Sequence, residues 1–213
     1  MTPTMTPAQQ LVAGITALGL CVDAATQEKL LAYLQLLAKW NRVYNLTALR
    51  HPDEWVTHHL LDSLSVLPHI RGPLVVDVGS GAGLPGLVLA MLRPDWQVVS
   101  IETVDKKAAF QRQVAAELAL ANVRVEGCRV EEVVLENGAD SIVSRAFSSL
   151  ADFVNLTRHL LKADGQWTAM KGKHPAEEIA ALPADVRVSG ILQLNVPGLN
   201  AERCVVQILK TES

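Results

Sequence analysis

The run Val76-Asp77-Val78-Gly79-Ser80-Gly81-Ala82-Gly83-Leu84-Pro85-Gly86 holds the densest chemistry in the chain: a carboxylate inside an apolar stretch, then glycines at short intervals. Glycines so spaced let a ligand approach the backbone with no Cβ in the way. Two nucleotide cofactors use such a turn. A dinucleotide wants Gly-x-Gly-x-x-Gly directly after a strand, so that its pyrophosphate meets a helix N-terminus. Counted from Gly79 the pattern fails at Leu84; from Gly81 it is met at Gly86, but two residues late. S-adenosylmethionine instead carries a cationic sulfonium and amino group, and Asp77 offers a carboxylate two residues before Gly79. Glu102 lies 23 residues after Gly79 and suits the ribose hydroxyls of either cofactor. Asp77 and the glycine register favour the methyl donor, while a tight turn without ligand stays open as the plain alternative. A P-loop is excluded, because no Gly-Lys-Ser/Thr is present.

The methyl acceptor is narrowed by what is missing. Methylation of an exocyclic amine usually calls for Asp/Asn-Pro-Pro-Tyr/Phe, and Ser144-Arg145-Ala146-Phe147 stands where that run would be. Carbon methylation of a pyrimidine needs a cysteine nucleophile, and none of Cys21, Cys128 and Cys204 follows a proline. An acceptor that is already nucleophilic remains: a guanine N7 or a small molecule. N7 carries no proton, so no general base is expected and catalysis reduces to positioning and electrostatics. Arg145, at a strand end, is the positioning candidate; a fork on both O6 and N7 would block the acceptor, so it should touch O6 or a phosphate only.

Other side chains have plainer readings beside the functional one. Asn41, Asn45 and Thr47 are helix-end and turn residues, or they line the cleft. His59, Asp62 and Ser63 share one helical face at i, i+3 and i+4; no further ligands converge in sequence, so a hydrogen-bonded scaffold is expected and no metal. Lys106, Lys107, Arg112, Lys171, Lys173 and Arg203 are candidate phosphate contacts or solvated surface. Trp40, Tyr44 and Phe147 are the few aromatics available for stacking, or they are core.

The elements that must position these residues follow from hydrophobic periodicity. Leu11, Ile15 and Leu18 mark a first helix stopped at Gly19; Thr26 caps a second with a Leu30, Leu31, Leu34, Leu37 stripe; a third runs from Pro52 to about Leu67. After Arg71-Gly72-Pro73 strands alternate with helices: strands at 74–78, 98–101, 123–126, 141–144 and 167–170, helices at 85–93 and 105–121, the latter closed by Asn122. A hairpin-like pair at 186–194 and 204–209 ends the pattern. This predicts an α/β fold with a parallel sheet and one antiparallel edge strand, residues 73–213, behind a helical extension, residues 1–72. With 213 residues, 49% hydrophobic and 19% charged, one domain with an appendage has ample core. The net charge of −3 neither advertises nor excludes nucleic acid.

In Trp40-Asn41, Tyr44-Asn45-Leu46-Thr47, His59 with Leu61-Asp62-Ser63, Asp77-Val78-Gly79, Gly83-Leu84-Pro85-Gly86, Arg129-Val130-Glu131-Glu132, Ser144-Arg145-Ala146-Phe147, Lys171-Gly172 and Val196-Pro197 the chain resembles the RsmG (GidB) family of bacterial 16S rRNA guanine-N7 methyltransferases. The resemblance covers nearly the whole chain, and Asn-Leu-Thr with Gly-Leu-Pro-Gly is its specific part. It implies a class I S-adenosylmethionine-dependent methyltransferase (Rossmann-like) fold with a seven-stranded sheet. It also implies direct in-line transfer of methyl from S-adenosylmethionine to N7 of the guanine at position 527. By matching position it implies that Gly79, Leu84, Val130, Glu131 and Arg145 contact the cofactor. Asp77, Gly81, Gly83 and Glu102 join them from the residues themselves, Glu102 standing where the family suggests an aspartate. Asn41, Asn45, Thr47, His59, Ser63, Lys106, Lys171 and Arg203 are the residues expected toward RNA.

The expected partner is 16S rRNA, the small ribosomal subunit or an assembly intermediate, and the expected state a monomer. No run of 18 apolar residues exists, and no basic residue precedes Lys29, so neither a membrane span nor a signal peptide is expected and the location is cytoplasmic. Three widely spaced cysteines fit a reducing compartment. Two rivals stay open: a small-molecule methyltransferase on the same fold, and a non-catalytic RNA-binding or ribosome-assembly factor.

Overall fold

Seven strands form one sheet in the order β3-β2-β1-β4-β5-β7-β6. The computed structural model describes residues 5–145 and 147–211, so Ala146 of the Ser-Arg-Ala-Phe motif lies outside the described residues. Strands β1 (Leu74–Val78), β2 (Gln97–Ile101), β3 (Val123–Glu126), β4 (Ala139–Ser144) and β5 (Leu161–Lys171) run parallel. β7 (Cys204–Lys210) is antiparallel to both β5 and β6 (Val186–Gln193). The reversed strand therefore sits one place in from the edge, and β6 is the edge itself.

The strands read as unbroken apolar runs because both sheet faces are covered. Successive side chains point to opposite faces. Val75, Val98, Val143, Met170 and Val205 join one core, and their neighbours Val76, Val99, Ile142, Ala169 and Val206 join the other. On the first face lie α1 (Pro7–Ala17), α2 (Ala24–Tyr44), α4 (Gly86–Leu92) and α5 (Asp105–Glu117); α6 (Leu150–Thr157) packs on the second, and the short α7 (Ala176–Ala180) lies against α6. The helical extension thus shares a core with the sheet.

Some helix boundaries differ from those expected, for local reasons. Asp23, not Thr26, caps α2: its carboxylate accepts the Thr26 N–H at 2.8 Å. The buried stripe of α2 is Leu30, Tyr33, Leu34 and Leu37, with Leu31 only half-buried. Helix α5 ends before Ala119, whose φ of 52° breaks it; Asn122 instead donates to the carbonyls of Ala90, Arg93 and Trp96. The expected third helix is a composite: a 3-10 turn at Pro52–Glu54, a π-helix at Val56–Leu61, α3 (Asp62–Ser65) and a 3-10 turn at Leu67–His69. π-turns are rare and concentrate at functional sites. No helix among the described residues is long and apolar enough to cross a membrane.

The chain runs outward from β1 to β2 and β3, then returns to place β4 on the other side of β1. At such a reversal the connections leaving neighbouring strands diverge and open a crevice at the strands' C-terminal ends. Three sequence candidates stand there: the glycine turn after β1, Arg145 after β4 and Lys171 closing β5.

Candidate functional site

The glycine turn leaves β1 with Gly79, Gly81 and Gly83 at φ of 66°, 60° and 86°, a region other residues enter only at a cost. A Cβ at Gly79 or Gly81 would project into open space, whereas one at Gly83 would strike Leu87 and one at Gly86 would strike Asp77. Two glycines thus keep a surface open and two permit close packing. Four side chains pin the turn. Glu102, just after β2, accepts the Gly81 N–H at 2.7 Å. Gln111 of α5 donates to Ser80 Oγ and to the Gly81 carbonyl, both at 2.8 Å, and accepts from Ser100 Oγ. Tyr33 of α2 donates to the Ala82 carbonyl at 2.9 Å, and Asp77 accepts the Gly86 N–H at 2.7 Å.

Asp77 is wholly buried, and its carboxyl is pushed up to about 7. Burial is the main cause, with Glu102 adding to it; the Gly86 N–H and Arg145 oppose it. Its Oδ1 has no hydrogen-bond partner among the described residues. Such an orphan costs free energy in a buried place, so a cationic or hydrogen-bonding ligand has something to gain there. Both Glu102 oxygens already hold backbone N–H groups, those of Gly81 and Val104.

A cavity of about 550 Å³ faces the turn, a size suited to a small ligand. Much of the rest of its lining comes from the π-helix, Asp62 at the start of α3, Arg145 just after β4, the end of β5 and Arg203 just before β7. Arg145 donates from Nη1 to the His58 carbonyl at 3.1 Å and to Asp62 Oδ2 at 3.4 Å; Arg203 donates from Nε to Asp62 Oδ1 at 3.1 Å. One buried carboxylate thus holds two cavity-lining arginines. Lys171 is paired with Glu178 of α7 at 2.7 Å. His59 Nε2 lies 3.2 Å from Thr47 Oγ1, and its imidazole is pushed down to about 3, by burial first and the Arg145 charge second. His59 is therefore neutral at ordinary pH.

Of the residues predicted from sequence, Thr47, His59, Gly79, Gly81, Leu84, Arg145, Lys171 and Arg203 line this cavity. Asn41 and Asn45 line an adjoining cleft that shares Thr47. Asn41 also accepts the Thr47 N–H at 3.0 Å, and Asn45, at φ 50°, ends α2. Ser63 is buried behind the wall. Lys106 is exposed and lines neither space, while Lys107 lines both. Val130 and Glu131 lie in a 3-10 turn away from the cavity lining, Val130 in the second core and Glu131 exposed. Asp77, Gly83 and Glu102 support the turn from behind.

Sequence reasoning missed Asp62 as the arginine clamp, although it shares the His59 face. It missed Tyr33, which follows Leu30 by three residues on the buried stripe. Nothing in sequence singled out Gln111, His58 or Met170. Among the described residues no group of three or more His, Cys, Asp or Glu could hold a metal.

Comparison with known proteins gives consistent matches. Residues 26–206 match the family model described as GidB, rRNA small subunit methyltransferase G. Over 198 residues the chain is 56% identical to the ribosomal RNA small subunit methyltransferase G of Methylobacillus flagellatus, covering 93% of this chain and 96% of that one. The protein of the same name from Azoarcus sp. is 51% identical over 97% and 98% of the two chains. Among solved structures, a SAM dependent methyltransferase from Aquifex aeolicus superposes with a TM-score of 0.58 at 18% identity, over 81% of this chain and 97% of that one. TYW2 of M. jannaschii, solved in complex with AdoMet, gives a TM-score of 0.55 at 15% identity, over 70% and 74%.

Proposed function

The chain belongs to the GidB family of rRNA small subunit methyltransferases G, and on that premise we propose that it moves a methyl group from S-adenosylmethionine to N7 of a guanine, position 527, in 16S rRNA. The observation that carries the reading is one cavity joining an open glycine surface to an arginine wall, at the crevice where β1 and β4 diverge.

The residues present fit S-adenosylmethionine. Gly79 and Gly81 leave backbone accessible at the cavity, and the buried Asp77 carboxyl behind the turn favours a cationic group bound in front of it. Glu102 keeps spare lone pairs but is first a clamp on the turn, so a ribose contact is its second duty. When bound, this co-substrate supplies an electrophilic methyl on a sulfonium, open to direct displacement. Val130 and Glu131 are retained as cofactor contacts only from family resemblance.

Arg145 orients the acceptor, because its Nη1 is committed to His58 and Asp62 while half of its fork has no partner among the described residues. His59, held neutral by burial and by Arg145, adds no charge to the wall and shapes it through Thr47. No proton need move, which agrees with a site in which His59, beside the arginine wall, resists protonation. Lys171 and Arg203 contribute position more than net charge, since each has a carboxylate partner.

The test is transfer of labelled methyl from S-adenosylmethionine to small subunits or 16S rRNA from a strain lacking the gene, followed by borohydride reduction and aniline cleavage. One cut at the expected guanine, made by the wild-type protein and not by Gly81→Asp, is the expected result. A methyl that resists aniline mapping would overturn the N7 assignment, and turnover of a small acceptor alone would overturn the RNA assignment.

A further inference from the structure

Two clefts adjoin the central cavity, and they differ in charge. One, of about 460 Å³, shares Leu46, Thr47, Ala48 and Lys107 with the cavity and adds Asn41, Asn45 and Arg50. The other, of about 370 Å³, shares His58 with the cavity and is lined by the exposed Asp53 and Glu54. A polyanion leaving the cavity is drawn into the first and repelled from the second.

The cations of the cavity sharpen this contrast. Arg145 and Arg203 share the Asp62 carboxylate, and Lys171 is paired with Glu178. Arg50 and Lys107 have no carboxylate within ion-pair distance among the described residues. Free cations release the most counterion when they meet phosphate, whereas cations already neutralised by a protein carboxylate release little. Next to Asn45, Tyr44 is exposed with its ring 5.2 Å from that of Trp40, a face on which a base can stack.

We propose that the single-stranded RNA flanking the methylated nucleotide leaves the cavity through the Asn41–Asn45–Arg50–Lys107 cleft, with Arg50 and Lys107 gripping its phosphodiester backbone. This rests on the RNA reading above and adds a path to it: the strand crosses the α2 C-terminus and the start of α5, not the Asp53–Glu54 side.

The experiment measures binding of labelled 16S rRNA as a function of salt, independently of methyl transfer. Removing two phosphate contacts to single-stranded RNA flattens the plot of log affinity against log salt by about 1.4. The double variant Arg50→Gln/Lys107→Gln should show that flattening. Arg187→Gln, exposed on the far edge strand β6, should keep the wild-type slope. A cooperative thermal melt within a few degrees of wild type reports that the double variant is folded. An unchanged slope in the double variant, or an equal flattening by Arg187→Gln, would overturn the path. Wild-type protein that binds RNA but transfers no methyl would count against the enzymatic reading, while the slope of the double variant would still decide the path. Wild-type protein without RNA affinity would overturn both.

Discussion

The glycine turn and the 45–51 segment both line one cavity and are held in opposite ways. Side chains from α2, β1, α5 and the end of β2 fix the turn through hydrogen bonds of 2.7 to 2.9 Å, and its carboxylates are buried. The 45–51 segment is mostly exposed, and its ties are a few local bonds: Asn41 to Thr47, Thr47 to Leu49 and to His59, and Trp55 to the Leu49 carbonyl. The difference teaches where invariance is needed. A small co-substrate of fixed shape rewards a preorganised cradle, whereas a folded RNA presents a large surface to which a loosely tied edge can adjust.

Substitutions can break or sharpen that contrast. The largest effect is expected from Gly81→Asp, which puts a side chain at φ 60° and a carboxylate at the open face of the turn. Titration calorimetry should show S-adenosylmethionine affinity reduced about 100-fold or more, with RNA binding retained. Loss of both together would mean the two walls are not independent.

Asp77→Asn comes next and separates stability from function. An acid whose folded pKa, about 7, lies above its usual value of 3.8 adds stability that is fully present below 3.8 and is lost as pH rises toward 7. Above that window the buried carboxylate costs up to about 4 kcal/mol. Asparagine can still accept the Gly86 N–H without the charge, so the ligand-free variant should melt higher than wild type at pH 8. That gap should close as pH falls through the window, in thermal melts across pH. Cofactor affinity should fall nonetheless. A variant less stable than wild type at pH 8 would refute this account of Asp77.

Asp62→Asn acts on the other wall. It should cost about 1–3 kcal/mol of stability, because two arginines lose a buried partner. It should also lower kcat more than it alters cofactor affinity, and steepen the salt dependence of RNA binding as Arg145 and Arg203 regain their charge. The smallest effect is expected from Tyr33→Phe, which leaves the Ala82 carbonyl unpaired: about 1 kcal/mol by denaturant unfolding, and a few-fold weaker cofactor binding.

Legibility in the sequence followed the range of the interaction that fixes each feature. Strand spans were readable because the apolar runs and the glycine turn are local signals; 74–78 and 123–126 coincide with β1 and β3. Asp77 and the open glycines were readable for the same reason. Less visible were features set by partners distant in sequence. Tyr33 looked like one more position on a helix, and only its bond to Ala82, 49 residues on, gives it a role at the turn. Lys171 and Arg203 looked like free cations because Glu178 and Asp62 are brought to them by folding. The π-helix also escaped periodicity, since its wider turn shifts which side chains share a face.

The Asp62–Arg203 pair has a consequence for biosynthesis. Its members are 141 residues apart, and Asp62 meets Arg145 only after 83 residues. At roughly 5 to 20 residues per second, about 7 to 28 s separate emergence of the carboxylate from that of its second arginine. Tyr33, by contrast, is already present when Ala82 is made. Vectorial synthesis therefore makes the side chains that pin the glycine turn, the last of them Gln111, available well before the arginine wall, which waits for Arg203.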